Sequence, residues 1–248
     1  MNAPQILRIP ILPMGMVNCH LILGASGGVL VDAGLPGSEA KIGKALHRHG
    51  LSFRDIKLIV ITHAHMDHAG AAAAVRRASG APILAHRGDL PHFLREVPMT
   101  FCSTGRAGRF LLRRGIILQP YVGFQPDILL DGQEAFDLKP YGIEGRVEPT
   151  IGHTAGSISV MLSSQDALVG DLLASGIFMG GLLRTGHAIR PPFEDDPLAV
   201  GKELLRLLAT GARRFHMGHG GPLEAMEVQR HARYLMTFPS PNLHPGRS

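Results

Sequence analysis

With 248 residues, 45 % of them hydrophobic, the chain is long and apolar enough to bury the core of a compact α/β domain, which excludes an intrinsically disordered protein. Two cysteines far apart, Cys19 and Cys102, exclude a disulfide framework or a thiolate zinc site, and no apolar run reaches the roughly eighteen residues of a membrane span. The formal net charge of +5 is accompanied by only 5 % aromatic residues, which argues against a nucleic-acid surface.

The first residues, MNAPQILRIPILPMG, place no cluster of positive charge before their apolar stretch, and prolines at 4, 10 and 13 interrupt it. They do not read as a signal peptide, so a cytoplasmic protein is expected, a monomer or homodimer acting on a small molecule. Three short β-rich runs follow one another (ILRIPIL, VNCHLIL, GGVLVDAG) with Gly and Ser between them, predicting an antiparallel meander. Strand and helix then alternate. A helix is expected over residues 38–49, a buried strand at KLIVI (57–61), a helix over 69–78 and a strand at APILAH.

Residues 87–125 predict a mostly helical insertion over one end of the fold. It carries much of the excess charge, with six arginines (87, 95, 106, 109, 113 and 114) facing two acids, Asp89 and Glu96. The expected role is a solvated basic face or attraction of an anionic substrate. After Val147 the alternation resumes: strands at SISVML, ALVGD and RRFHMG, helices over 197–208 and 222–238. Two similar halves suggest a sandwich of two sheets with helices outside. The expected domain covers 1–238, with a frayed, Pro-rich tail at 239–248.

The chemistry concentrates in THAHMDHAG, where His63, His65, Asp67 and His68 fall within six residues directly after a buried strand. An exposed turn in that place can aim several side chains at one point. Imidazole with carboxylate suits zinc, and also iron or manganese, and the lack of thiolates favours a catalytic over a purely structural site. His63 and His65, two apart in an extended segment, point the same way and can grip one ion, while Asp67 and His68 turn toward a neighbouring position. An Asp67 helix cap alone would explain one residue of the four.

Downstream come His153 in TIGHTAGS, Asp171 in LVGDLLASG and His219 in MGHGGP, the last two at the end of expected strands. In this order and spacing the sequence resembles the metallo-β-lactamase superfamily, over roughly residues 17–221. The resemblance implies a four-layer αββα sandwich of two mixed sheets with helices on the outer faces, and two divalent metal ions, zinc in the first instance and manganese or iron as options. It implies that His63, His65 and His153 hold the first ion, Asp67, His68 and His219 the second, and that Asp171 bridges them, with Asp32 of the VDAG turn supporting the ligands from behind. A hydroxide between the ions is the implied nucleophile, with Asp67 orienting it.

Within the superfamily, β-lactamases typically lack an aspartate at position 171 and are exported, which speaks against antibiotic hydrolysis. Thioesterases of the glyoxalase II type carry that aspartate but usually append a helical domain after the last histidine, where this chain has residues 220–248. Acyl-homoserine lactonases are similar in length, but those with a tyrosine three residues after the aspartate differ from this chain, which has Ala174. The expected activity is hydrolysis of an ester, thioester or lactone with an apolar acyl portion. Met14, Met16, Phe178 and Met179 are expected to line the cleft with leucines 172, 173, 182 and 183, and Arg184, His187 and Arg190 to steer a negative head group. The alternatives are a phosphodiesterase of the same fold and a mononuclear iron persulfide dioxygenase using only His63, His153 and Asp171.

Overall fold

The computed structural model describes residues 4–25, 27–115, 119–180 and 183–239. The side chains of Ala107 and Phe178, residue Leu182 and nearly all of the tail expected to fray lie outside the described residues. The first sheet takes its six strands in chain order: β1 (Gln5–Pro10), β2 (Asn18–Gly24), β3 (Gly27–Val31), β4 (Ile56–Val60), β5 (Ile83–His86) and β6 (Ile128–Leu130). The first three strands pair antiparallel, forming the expected meander, and β3 to β6 run parallel. Parallel neighbours need crossovers. They are supplied by helices α1 (Glu39–Arg48), α2 (Met66–Ala69), α3 (Ala72–Ser79), α4 (Leu90–Phe93) and α5 (Arg106–Arg113).

The second sheet is built from β7 (Phe136–Asp137), β8 (Gly145–Pro149), β9 (Ile158–Leu162) and β10 (Asp166–Leu168). A small ribbon of β11 (Ala174–Ser175) and β12 (Ala188–Ile189) and helix α6 (Pro197–Ala209) intervene. The sheet is completed by β13 (Arg214–His216) and β14 (Leu223–Glu224), followed by helix α7 (Ala225–Leu235). The spatial order is β14-β13-β10-β9-β8-β7, with β10 and β13 parallel.

Alternation along the strands explains the layering. On β4, Leu58 and Val60 face the second sheet, while Ile56 and Ile59 face α1 and α3. On β9, Ile158, Val160 and Leu162 face back across the sandwich, and Met161 points to the α6 and α7 side. Three apolar layers therefore separate four layers of secondary structure, the αββα sandwich. Among the described residues no helix is long and apolar enough to cross a membrane.

Two local expectations are corrected. The helix expected over 69–78 is broken between α2 and α3, because the backbone there bonds to the VDAG turn. Ala33 N–H donates to the His68 carbonyl at 2.8 Å, and Ala71 N–H to the Gly34 carbonyl at 3.3 Å, so these groups leave the helical ladder. Among its described residues the 87–125 segment is not mostly helical: beyond a short 3-10 turn at Arg87–Asp89 they hold only α4 and α5. Its prolines and glycines interrupt regular structure, and it is tied to the body instead. Ser103 bridges Phe193, Thr104 N–H donates to Pro192 O at 2.9 Å, and the Tyr121 hydroxyl donates to Ala64 O at 3.1 Å.

Candidate metal centre

Four turns at strand ends converge at one edge of the sandwich. His63, His65, Asp67 and His68 follow β4 and open α2; His153 lies between β8 and β9, Asp171 after β10, His219 after β13. Each follows from a strand that must end where the sheet ends, leaving a backbone free to turn and present side chains. The seven residues fall into two groups of potential ligand atoms, one of His63, His65, His153 and Asp171, the other of Asp67, His68 and His219. In the first, His153 Nε2 is 3.2 Å from both His63 Nε2 and His65 Nδ1. Asp171 reaches between the groups, with Oδ1 3.3 Å from His68 Nε2 and Oδ2 3.0 Å from His219 Nε2 and 3.9 Å from His153 Nε2. Asp67 Oδ2 is 3.3 Å from His219 Nε2.

Behind the ligands, hydrogen bonds decide which ring nitrogen carries the proton. Asp32 is buried and accepts from Thr62 N–H at 2.8 Å and from His68 Nδ1 at 2.8 Å, so the His68 proton sits on Nδ1 and its Nε2 offers a lone pair. Thr62 Oγ1 donates to Asp32 and lies 3.0 Å from His63 Nδ1, whose proton it accepts. His219 Nδ1 donates to the Met16 carbonyl at 2.5 Å. The His219 turn is held by Asn18, whose buried amide donates to the carbonyls of Gly15, Gly218 and Gly220. Gly218 is needed there, since a Cβ on it would stand 2.3 Å from the His68 ring and 2.6 Å from Asp171 Oδ1.

These lone pairs meet one another. His68 Nε2, Asp171 Oδ1 and His153 Nδ1 are buried without a hydrogen-bond partner, and three imidazole nitrogens face each other at hydrogen-bond distance, with the His63 proton held away from them on Nδ1. Only a cation satisfies such a set, so the residues fit divalent metal. The electrostatics agree. Burial pushes His63 well down, His65 to about 3 and His153 to about 4, keeping neutral imidazoles that can ligate. Burial also opposes charge on His68 and His219. The carboxylates of Asp171 and Asp32 nevertheless raise His68 well above its usual range, and Asp171 with Asp67 raises His219 to about 10. Burial works to raise both aspartates, but Asp67 beside His68 and Asp171 beside His219 are held well below the usual carboxylate range. A cationic charge belongs among these groups.

Above the ligands opens a narrow cleft of about 40 Å³, lined by His65, Asp67, His153, Asp171 and His219 and walled by Phe101, Leu111, Met179, Pro191, Pro192 and Phe193. Phe101 stacks on His65 with ring centres 5.1 Å apart, and Phe193 packs edge-on to Phe101 at 5.0 Å. Two roomier depressions, of 510 and 820 Å³, lie away from the ligands, so volume does not mark the site.

Of the expected cleft residues whose side chains are described, only Met179 is in the wall. Met14, 44 % exposed, sits in a separate depression with Arg8 and Thr185, and Met16 contributes its carbonyl rather than its side chain. Leu172 and Leu173 are packed in the core beneath α6 and α7. Arg184 is exposed, and His187 and Arg190 line a different depression with Arg230 and Tyr234. They are engaged there, His187 with Glu227 at 3.1 Å and Arg190 with Glu194 at 2.6 Å, because β11 and β12 pair antiparallel and carry 188–190 away from the cleft mouth. The reading of the sequence missed Thr62, Asn18 and the wall residues Phe101, Leu111 and Phe193. A threonine abutting the histidine motif was a usable signal for the first; nothing in the sequence marks the others.

Two facing sheets with helices outside and a buried histidine–aspartate cluster at one edge define a metal-binding hydrolase scaffold. The chain belongs to the metallo-β-lactamase superfamily, whose family model matches residues 12–219. It is 29 % identical over 180 residues to the probable metallo-hydrolase YqgX of Bacillus subtilis, covering 72 % of this chain and 74 % of that one. It is 30 % identical over 208 residues to a hydroxyacylglutathione hydrolase of Anaeromyxobacter dehalogenans, covering 83 % of this chain but 62 % of that relative. The crystal structure of the metallo-β-lactamase family protein TTHA1429 from Thermus thermophilus superposes with a TM-score of 0.65 at 25 % identity, over 95 % of this chain and 79 % of that one. The BLEG-1 B3 metallo-β-lactamase shares the fold, with a TM-score of 0.67 at 23 % identity, over 93 % of this chain and 99 % of that one. The protein is a metal-dependent hydrolase of this superfamily.

Proposed function

We propose that the protein hydrolyses a small carboxylic ester, thioester or lactone with an apolar acyl portion, using two divalent metal ions, zinc in the first instance. The observation that carries this reading is the cleft itself: every polar group on its floor belongs to the ligand set, and every wall side chain is apolar. The relative named a hydroxyacylglutathione hydrolase supports acyl transfer to water. When bound, the ions supply a water ionised near neutral pH and polarise the carbonyl under attack. His63, His65 and His153 would hold one ion, Asp67, His68 and His219 the other, with Asp171 shared.

The chain's own contribution is placement. Asp67, the most exposed of the ligand carboxylates, faces the cleft and accepts a hydrogen bond from the attacking water, fixing its direction. Phe101, Leu111 and Phe193 exclude bulk water and hold the acyl portion over the ligands. The outer face of α5 carries Arg106, Arg109 and Arg113, exposed and without ion pairs among the described residues. Its inner face puts Leu111 into the wall, so anionic leaving groups emerging from the cleft meet positive charge. Both cysteines are free, which suits a reducing compartment. We place the protein in the cytoplasm, as a monomer or homodimer.

The test is an acyl chain-length series of esters and lactones with a phosphodiester control. Each methylene that enters the wall is worth about 0.8 kcal/mol, so kcat/KM should rise about fourfold per carbon until the slot is full. Leu111→Ala should flatten the rise. A response flat in chain length with faster phosphodiester cleavage moves the assignment to a phosphodiesterase. Purified protein should also carry close to two equivalents of zinc or manganese; a single iron with oxygen consumption on a persulfide would replace hydrolysis altogether.

A further inference from the structure

The segment 87–125 supplies part of the cleft wall, yet its two most deeply buried polar side chains point elsewhere. Asp89 is 1 % exposed and Tyr121 7 % exposed, and both converge on Ala64, the residue between His63 and His65. Ala64 N–H donates to Asp89 Oδ2 at 2.9 Å, and the Tyr121 hydroxyl donates to the Ala64 carbonyl at 3.1 Å. Those two backbone groups belong to the successive peptide planes joining His63 to His65. Both planes are therefore held, and with them the backbone from which the two imidazoles project.

The same Asp89 oxygen accepts from Thr154 Oγ1 at 2.9 Å, and Thr154 follows His153 directly. One carboxylate oxygen thus ties the turn carrying His63 and His65 to the turn carrying His153, the third imidazole of that group. The His153 turn lies directly against Asp89, since a Cβ on Gly156 would stand 2.5 Å from the Asp89 nitrogen. Asp89 forms no ion pair among the described residues, so its charge is engaged by neutral donors alone, which makes those hydrogen bonds strong ones. Tyr121 is itself held in place, with the Arg95 guanidinium 4.9 Å above its ring.

We infer that Asp89 and Tyr121 are positioning residues that clamp Ala64 and Thr154, and so set the geometry with which His63, His65 and His153 grip a metal ion. The inference rests on the reading that this group holds a cation, and it gives the 87–125 segment a second task besides walling the cleft.

The experiment loads the full-length wild-type protein, Asp89→Ala, Asp89→Asn, Tyr121→Phe and the control Tyr141→Phe with Co(II). It then records the visible absorption bands, the rate of Co(II) release to a chelator and the melting of each metal-free protein. Groups that orient ligands typically change affinity 10- to 100-fold. Asp89→Ala and Tyr121→Phe should shift the bands and release Co(II) about tenfold faster or more. Asp89→Asn, which keeps one acceptor oxygen, should lie between Asp89→Ala and wild type, and Tyr141→Phe should match wild type. Tyr121→Phe removes a single oxygen, so its metal-free melting should stay close to wild type even if Asp89→Ala does not fold. Wild-type bands and release rates in both Tyr121→Phe and Asp89→Asn would overturn the clamp alone, as would faster release matched by an equal loss of metal-free stability. A wild-type protein that takes up no Co(II) would overturn the metal reading and the clamp with it.

Discussion

Asp67→Ala is expected to lower kcat on an ester or thioester substrate by about two orders of magnitude or more, while the protein still folds. A hundredfold loss corresponds to about 2.7 kcal/mol of transition-state stabilisation, the size expected when a group that orients the nucleophile over a metal is removed. Two features locate that loss at the chemistry and not in the fold. Asp67 is the one ligand side chain with substantial exposure, 27 %, so its removal leaves no sealed cavity. Deleting it also costs its attraction to His68 and His219, but both histidines keep Asp171 as a partner in the metal-free protein. Melting of the metal-free variant should stay within a few degrees of wild type. Activity within a few-fold of wild type would remove Asp67 from the nucleophile's path and leave it a ligand at most.

The residues that cluster at the candidate site were legible because metal chemistry restricts residue type. Histidine and aspartate at the ends of β4, β10 and β13 cannot be replaced by other side chains and still hold a cation, so they stand out against turns that otherwise tolerate many residues. The layering was legible for a related reason: the run Leu58–Ile61 is apolar on both faces, as a strand buried between two layers requires. The cleft walls were not. Phe101 and Phe193 touch across 92 positions of sequence through the Ser103–Phe193 bridge, and no periodicity encodes that pairing. Nearness in sequence to Asp171 misdirected the expectation for Arg184, His187 and Arg190, because Ala174 pairs with Ile189, which leaves Arg184 and His187 in the connection between the two paired strands and Arg190 just past it. Asp89 looked like an ordinary turn residue after β5. Its importance comes from meeting Ala64 and Thr154, 25 and 65 positions away.

Removing metal should destabilise the protein by an amount large enough to read as a shift in melting temperature. The ligand cluster is assembled from four turns far apart in sequence, so an unfolded chain cannot present it, and whatever binds only the folded state adds its binding free energy to stability. With free zinc about a thousandfold above its dissociation constant, the gain is about 4 kcal/mol, and for a chain of this length each kcal/mol moves Tm by roughly 2–4 °C. Stripping with a chelator should therefore lower Tm by roughly 8–16 °C, and zinc should restore it. Asp171→Ala provides the control that ties the shift to this cluster. Asp171 belongs to the first group of potential ligands and also reaches His68 and His219 of the second, so its loss removes a member of one group and a partner of the other. In that variant the chelator-dependent shift should shrink to a few degrees. A wild-type melting temperature indifferent to chelator, with metal release verified independently, would mean that the four turns are held in register by their hydrogen bonds alone. The network of Asp32, Thr62, Asn18 and Asp89 would then be the source of the site's order, with the metal only its occupant.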